Sequence, residues 1–204
     1  MNLNELEEVV NVFESYNKVQ KAVLETTLSI IIRKELQATS MALIAKESKV
    51  STGSIYHYFS SKEEIINELY TAIVTYNGQF VQEGLNREGT IRERFTRGWE
   101  RVIEISRQYP EGFQFIEQYS FSPYIYEDVK QKAYNGGWCA PMNKLYAEAM
   151  EQKLFRAMDP KLLVQMHYGS MVYMVKSYLQ GNSDLTDAGI REAIEVCWQG
   201  ASRG

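Results

Sequence analysis

Between Thr39 and Lys62 the chain concentrates small hydroxyls, phenols and an imidazole: Thr39, Ser40, Ser51, Thr52, Ser54, Tyr56, His57 and Tyr58, closed by the ammonium of Lys62. Such groups hydrogen-bond and attract anions. Hydroxyls, phenols and a lysine suit phosphate oxygens, and threonine or serine also reaches base edges with weak discrimination. Arg, Asn and Gln, the strong bidentate base readers, are missing from this run. Bond-making chemistry finds no comparable set. The two histidines, His57 and His167, do not stand at metal-ligand spacing. Cys139 and Cys197 lack a CxxC partner, and no phosphate-cradling glycine motif follows a strand. No enzyme, metal or cofactor is expected, and Cys139 is read as a buried or half-exposed thiol.

Two short helices and the start of a third must position the polar run. Met41, Leu43, Ile44 and Ala45 give the first an apolar side, with Thr39 or Ser40 to cap it. Ser51 opens the second, Thr52 to about Tyr58, which is too short to persist alone in water. Ile55 and Phe59 are spaced to anchor it in a core. Short helix, tight turn, short helix predicts a helix-turn-helix, whose second helix enters a DNA major groove. Thr52, Ser54, Tyr56 and His57 then meet base edges or nearby phosphates. Tyr58 and Lys62 clamp the backbone, and Thr39 and Ser40 do so at the preceding helix end. Tyr56 as packing and Tyr58 as core remain the structural alternatives.

Charge supports the reading. The chain carries a net −4, yet Asn17–Lys62 holds Lys18, Lys21, Arg33, Lys34, Lys46, Lys49 and Lys62 against Glu25, Glu35 and Glu47. That is seven cations minus three carboxylates, or +4, which leaves −8 for the remainder. A basic segment on an acidic body suits a small phosphate footprint. With 204 residues, 45% hydrophobic and 24% charged, the chain is sized for one sizeable domain or two small ones. No apolar run approaches the ~20 residues of a membrane span, and MNLNELEEVV lacks the order of a secretion signal. Cytoplasmic residence without a membrane partner is expected, as is a reducing compartment for the two cysteines.

The remaining pattern is helical. Residues 1 to about 16 carry Leu3, Leu6, Val9, Val10 and Phe13, read as a short extra helix or arm. Residues 17 to about 36 form the first full helix. The Ser61–Glu64 capping box starts a connecting helix running to about Val81, followed by a break at EGLNREGT. Further helices are expected at 91–108, after Pro110, from Pro141 to Met158, from Asp159-Pro160 to about Gln180, and after Thr186. The expected class is all-α, with an N-terminal arm and helix-turn-helix domain at 1–62, a connecting helix at 63–82 and a second helical domain at 83–204.

The order helix, TSMALIAKESKVSTGSIYHYFSSKEEI, helix, then a longer helical body resembles the TetR family of bacterial transcriptional regulators. The discriminating part is the ending Tyr56-His57-Tyr58-Phe59, then the small Ser60, then Ser61-Lys62-Glu63. The close resemblance covers about residues 17–70. Members usually carry a glycine in the turn after the first helix, where this chain has Arg33-Lys34-Glu35-Leu36. The resemblance implies a homodimer that represses genes from a near-palindromic, double-stranded operator and is released by a small molecule in the C-terminal domain. A constitutive or protein-controlled DNA-binding dimer is the alternative.

The second domain is rich in aromatics, and ligand pockets between helices are mostly apolar with a few polar anchors. Phe115, Tyr119, Trp138, Met166, His167 and Tyr173 are candidate pocket walls, with Glu117 and His167 as polar anchors for an apolar or aromatic effector. A core histidine with its bonds satisfied is the alternative for His167. The last two helices, which the family pairs into a four-helix bundle, make Gly169, Ser170, Val172, Val175, Leu179, Ile194 and Trp198 the candidate dimer surface.

Overall fold

The computed structural model describes residues 11–203. Every regular element among them is a helix: α1 Lys18–Lys34, α2 Met41–Ser48, α3 Thr52–Tyr58, α4 Lys62–Asn86, α5 Ile91–Gln108, α6 Pro110–Tyr119, α7 Glu127–Gly136, α8 Cys139–Glu151, α9 Pro160–Leu179 and α10 Asp187–Ala201. The protein is therefore all-α, an N-terminal helix-turn-helix domain joined to a helical C-terminal domain. The apolar stripe from Leu3 to Val10 lies outside the described residues. Residues 11–16 form a turn with Val12 and Phe13 buried.

The chain divides into two compact units, and their borders differ from the segments expected at 62 and 82. The first runs through Ile73 and takes in Glu111–Tyr126; the second comprises Val74–Pro110 and the chain from Glu127. In the first unit, side-chain caps begin the helices. Asn17 accepts the N–H groups of Val19 and Gln20 at 3.0 Å, and Ser40 accepts that of Leu43 at 3.2 Å. Ser51 and Ser61 accept those of Ser54 and Glu64, both at 3.1 Å. Each bond satisfies a donor that the helix itself leaves unpaired. The seven-residue α3 is held by Ile55 and Phe59, which are buried together with Leu24, Leu28, Ile31 and Ile44.

Two long-range contacts bind 111–126 into this unit. Asn67, buried on α4, donates to Tyr124 O at 3.0 Å and accepts Tyr126 N–H at 2.8 Å. Tyr119 Oη accepts the N–H of Leu36 at 3.3 Å. None of these three bonds has a signature in local sequence, so α6 reads as part of the C-terminal body although it belongs to the first unit.

The second unit is built on aromatic burial. Phe95, Trp99, Tyr146 and Phe155 are almost wholly enclosed, and each such ring removes about 150–250 Å² from water. Thr90, Asp159 and Thr186 cap α5, α9 and α10, with Pro160 at the first position of α9. The expected break at EGLNREGT falls later, because α4 continues to Asn86. Gly84 is a close-approach residue inside the helix: a Cβ there would lie 2.9 Å from Arg101 Cγ. Only Gly89, at φ 148°, turns the chain. Likewise Gly78 is required by contact, since a Cβ there would meet the Cα of Gly137 at 2.9 Å. α8 begins two residues before Pro141 and ends at Glu151, short of the expected Met158. Lys153, at φ 60°, reverses the chain there and sends Phe155 into the core.

Candidate nucleic-acid interface

A helix of seven residues separates its faces sharply. Ile55 and Phe59 point into the first unit's core, while Thr52, Gly53, Ser54, Tyr56, His57 and Tyr58 are exposed. Tyr56 keeps about half of its surface in solvent (53%) and Tyr58 38%, so neither phenol is core. His57 and Tyr58 meet edge to face with centroids 4.7 Å apart. Ser51 and Ser54 join hydroxyls at 2.8 Å, either of which can be the donor, at the exposed start of α3. Ser40 is exposed at the start of α2, and Lys62, half-buried, is the first residue of α4.

Thr39 departs from its expected place. It is 2% exposed, and its hydroxyl donates to Glu35 O at 3.1 Å. The α1–α2 turn consumes that donor, so Thr39 is a turn residue and not a phosphate contact. Arg33 and Lys34 are also engaged: both pair with Glu47, whose carboxyl is held below its ordinary range chiefly by the Arg33 hydrogen bond.

Gly53 adds a feature that residue chemistry alone does not flag. A Cβ built there would have no neighbour within 4 Å. Glycine in a helix costs roughly 0.5–1 kcal/mol relative to alanine, and this fold offers no packing reason for it. An exposed helix that forgoes its cheapest side chain on the same edge as Thr52 and Tyr56 leaves room for a close-approaching surface.

The candidate ligand residues are divided between the two units. Phe115 and Tyr119 are buried in the first unit, rings 5.3 Å apart, with Glu117 half-buried on the same helix. Trp138 and His167 belong to the second unit and flank Trp99, at 5.9 and 6.2 Å between ring centroids. Met166 and Tyr173 depart from their expected buried places: they are 57% and 76% exposed on α9. The dimer set needs the opposite correction, because Val172, Val175 and Ile194 are buried within their own chain. Trp198 is half-buried, its ring 5.2 Å from Phe95 and 4.9 Å from Phe155, and Leu179 is half-buried too. Gly169 and Ser170 are exposed. Residue type chose both sets, whereas the face of α9 decides them: 163, 164, 167, 171, 172 and 175 turn inward, and 162, 166, 169, 170 and 173 outward.

His167 is a core histidine held through Nδ1. Trp99 Nε1–H donates to Tyr146 Oη at 2.8 Å, and Tyr146 Oη lies 2.6 Å from His167 Nδ1. A phenol that accepts from an indole retains its own proton to donate, and Nδ1 is the acceptor. His167 is then neutral, with its proton on Nε2. Burial pushes its pKa down to about 4 and pushes the Tyr146 phenol up. Burial also raises the Cys139 thiol to about 11, which makes it a poor nucleophile. Among the described residues no cluster of His, Cys, Asp or Glu could hold a metal, and no helix is long and apolar enough to cross a membrane.

Two family descriptions match the chain: "Bacterial regulatory proteins, tetR family" over residues 23–69 and "Tetracyclin repressor-like, C-terminal domain" over residues 90–201. An HTH-type transcriptional regulator of Haemophilus influenzae is 24% identical over 138 residues, covering 65% of this chain and 73% of that protein. The HTH-type regulator YuxN of Bacillus subtilis is 33% identical over 101 residues, 46% of this chain. The chain spans only 35% of YuxN's length. Among solved structures, a TetR family transcription regulator from Marinobacter aquaeolei VT8 superposes with a TM-score of 0.82 at 22% identity, over 91% of this chain and 96% of that one. A tetR family regulator from Shewanella sp. PV-4 gives 0.81 at 20% identity, over 92% and 100%.

Proposed function

The chain belongs to the TetR family, as a transcriptional regulator with a helix-turn-helix, and from that premise we propose that it represses its target genes from a near-palindromic operator, as a homodimer released by a small apolar or aromatic effector. The carrying observation is the split of α3, with Ile55 and Phe59 enclosed and Thr52, Gly53, Ser54, Tyr56, His57 and Tyr58 all facing solvent. Thr52 and Ser54 read base edges weakly, Ser40, Ser51, Tyr58 and Lys62 engage phosphates, and DNA shape contributes the rest of the specificity.

Dimerisation through α9 and α10 is supported by what those helices leave in water. Leu162, Met166, Gly169 and Tyr173 follow one face of α9, and Val196 is exposed on α10. Nothing lies within 4 Å of a Cβ placed on Gly169, so a second copy could approach closely. Such a dimer would set its two reading helices about 34–36 Å apart, one DNA turn. Tyr173→Glu should give monomers in sedimentation analysis; a dimer that survives it uses another surface.

The effector reading follows from the second unit's core. Trp99, Tyr146 and His167 satisfy one another, so they offer few spare polar groups and an effector would be held mainly by apolar contact. The same closure favours the second reading, a dimer that is constitutive or controlled by another protein. Selection of genomic fragments by the purified protein tests the DNA claim, with a near-palindrome upstream of a regulated gene expected. Failure to bind DNA even at low salt would overturn it. Thermal stabilisation by an apolar or aromatic metabolite, with loss of operator binding, separates the two forms of control.

A further inference from the structure

Glu35 ends α1 at φ 64°, ψ 164°, a backbone region open almost only to glycine. Three hydrogen bonds hold the reversal from within the turn: Glu35 N–H to Ile31 O at 2.9 Å, Thr39 N–H to Leu36 O at 3.1 Å, and Thr39 Oγ1 to Glu35 O at 3.1 Å. The fourth comes from 83 positions away, where Tyr119 Oη accepts the buried Leu36 N–H. Leu36 itself is fully enclosed, and Tyr119 is 5% exposed. The strained residue is thus followed by one whose side chain and amide are both fixed in the core. Ser40, the cap of α2, stands four residues after Leu36.

We infer that Tyr119 is a positioning residue for DNA binding: its hydroxyl holds the strained Glu35–Leu36 turn, and with it the direction in which α2 and α3 leave α1. The inference rests on the DNA-binding reading above. A side chain at position 35 favours a return to negative φ, which would rotate Leu36 out of its seat. The Leu36–Tyr119 bond resists that rotation because breaking it leaves a buried N–H unpaired. Tyr119→Phe removes the acceptor while keeping the ring against Phe115. Glu35→Gly removes the strain and with it the need for the tyrosine.

The test is a double-mutant cycle on operator affinity, using a fragment recovered by genomic selection, at a temperature where circular dichroism shows every variant folded. Tyr119→Phe should weaken binding about tenfold, the order expected for one buried polar group left unpaired. In the Glu35→Gly background the same change should cost less than about threefold, because the two sites are coupled. Amide exchange over 36–58 should quicken in Tyr119→Phe and return towards wild type in the double variant. An equal loss in both backgrounds overturns the inference, as does unchanged exchange at Leu36. If the wild-type protein binds no DNA at low salt, the regulator reading fails, and exchange alone still decides whether Tyr119 holds the turn.

Discussion

Ser40 reaches Leu43, Ser51 reaches Ser54 and Ser61 reaches Glu64, each three positions on. In the second unit Trp99 reaches Tyr146 and Tyr146 reaches His167, 47 and 21 positions along the chain. The first kind of bond is written into local sequence, since a hydroxyl before an apolar stripe has a nearby donor to satisfy. The second kind exists only after the chain has folded. The contrast also separates two uses of polarity. The helix-turn-helix stretch uses its serines to start helices and leaves Thr52, Tyr56 and His57 in water, whereas the C-terminal unit turns Trp99, Tyr146 and His167 on one another inside an aromatic core.

The largest expected effect tests that internal closure. Tyr146→Phe strands both the Trp99 indole N–H and His167 Nδ1 in a buried site. With about 1–3 kcal/mol for each unsatisfied group, the loss should be about 2–6 kcal/mol, measured by urea unfolding. Operator affinity of the protein that remains folded should be unchanged. A loss below about 0.5 kcal/mol would mean that the network is not closed as described.

A pH titration sharpens the same point. His167 has a folded pKa of about 4 against an ordinary value of 6.5, so the unfolded chain binds its proton first. Its contribution to stability is complete above pH 6.5 and is lost as pH falls from there towards 4, by about 3 kcal/mol in all. Carboxylates such as Glu64 and Glu93, whose hydrogen bonds hold them below their ordinary range, lose their own contributions lower on the scale. The measurement is therefore the difference between wild type and His167→Gln across pH 4–6.5. Parallel stability curves would show that His167 is not buried neutral.

This local–distant distinction explains what the sequence could reveal. Ser51, Ile55, Phe59, Asp159-Pro160 and Thr186 behave as their neighbours in sequence predict, because caps and apolar spacing are short-range signals. Thr39 misled because its hydroxyl is claimed by Glu35 O, an alternative use invisible in residue type. Met166 and Val172 lie on the opposite faces from those expected, exposed and buried respectively, because both are apolar and only the inward face of α9 tells them apart. Tyr119 read as a pocket wall because nothing near it in sequence points to Leu36. The glycine that family members usually carry in this turn, missing from Arg33-Lys34-Glu35-Leu36, was the one sign in sequence that its geometry departs from the usual.

Gly53→Ala should separate stability from binding. The new methyl meets no protein atom within 4 Å, so the variant should gain about 0.5–1 kcal/mol from helix propensity. On the reading edge the same methyl meets the docked DNA, and operator affinity should fall by several-fold or more. Affinity at or above wild type would remove Gly53 from the interface and leave its presence without a physical reason.

The smallest effect is at Lys62, and its value lies in opposed signs. As the first residue of the 25-residue α4, its ammonium stands against the positive end of the helix dipole, where acidic residues are favoured. Glu63 and Glu64 occupy that turn as expected, and Lys62 alone goes against the local rule. Removing it should therefore leave the fold unchanged or stabilise it by a few tenths of a kcal/mol, roughly the worth of one exposed charge near a dipole. If Lys62 meets a phosphate, Lys62→Ala must at the same time weaken operator and nonspecific DNA alike and reduce the salt slope of binding by about one unit. A slope that stays fixed would assign the ammonium to solvent. A fall in stability would assign it to the fold, and the reading edge would then end at Tyr58.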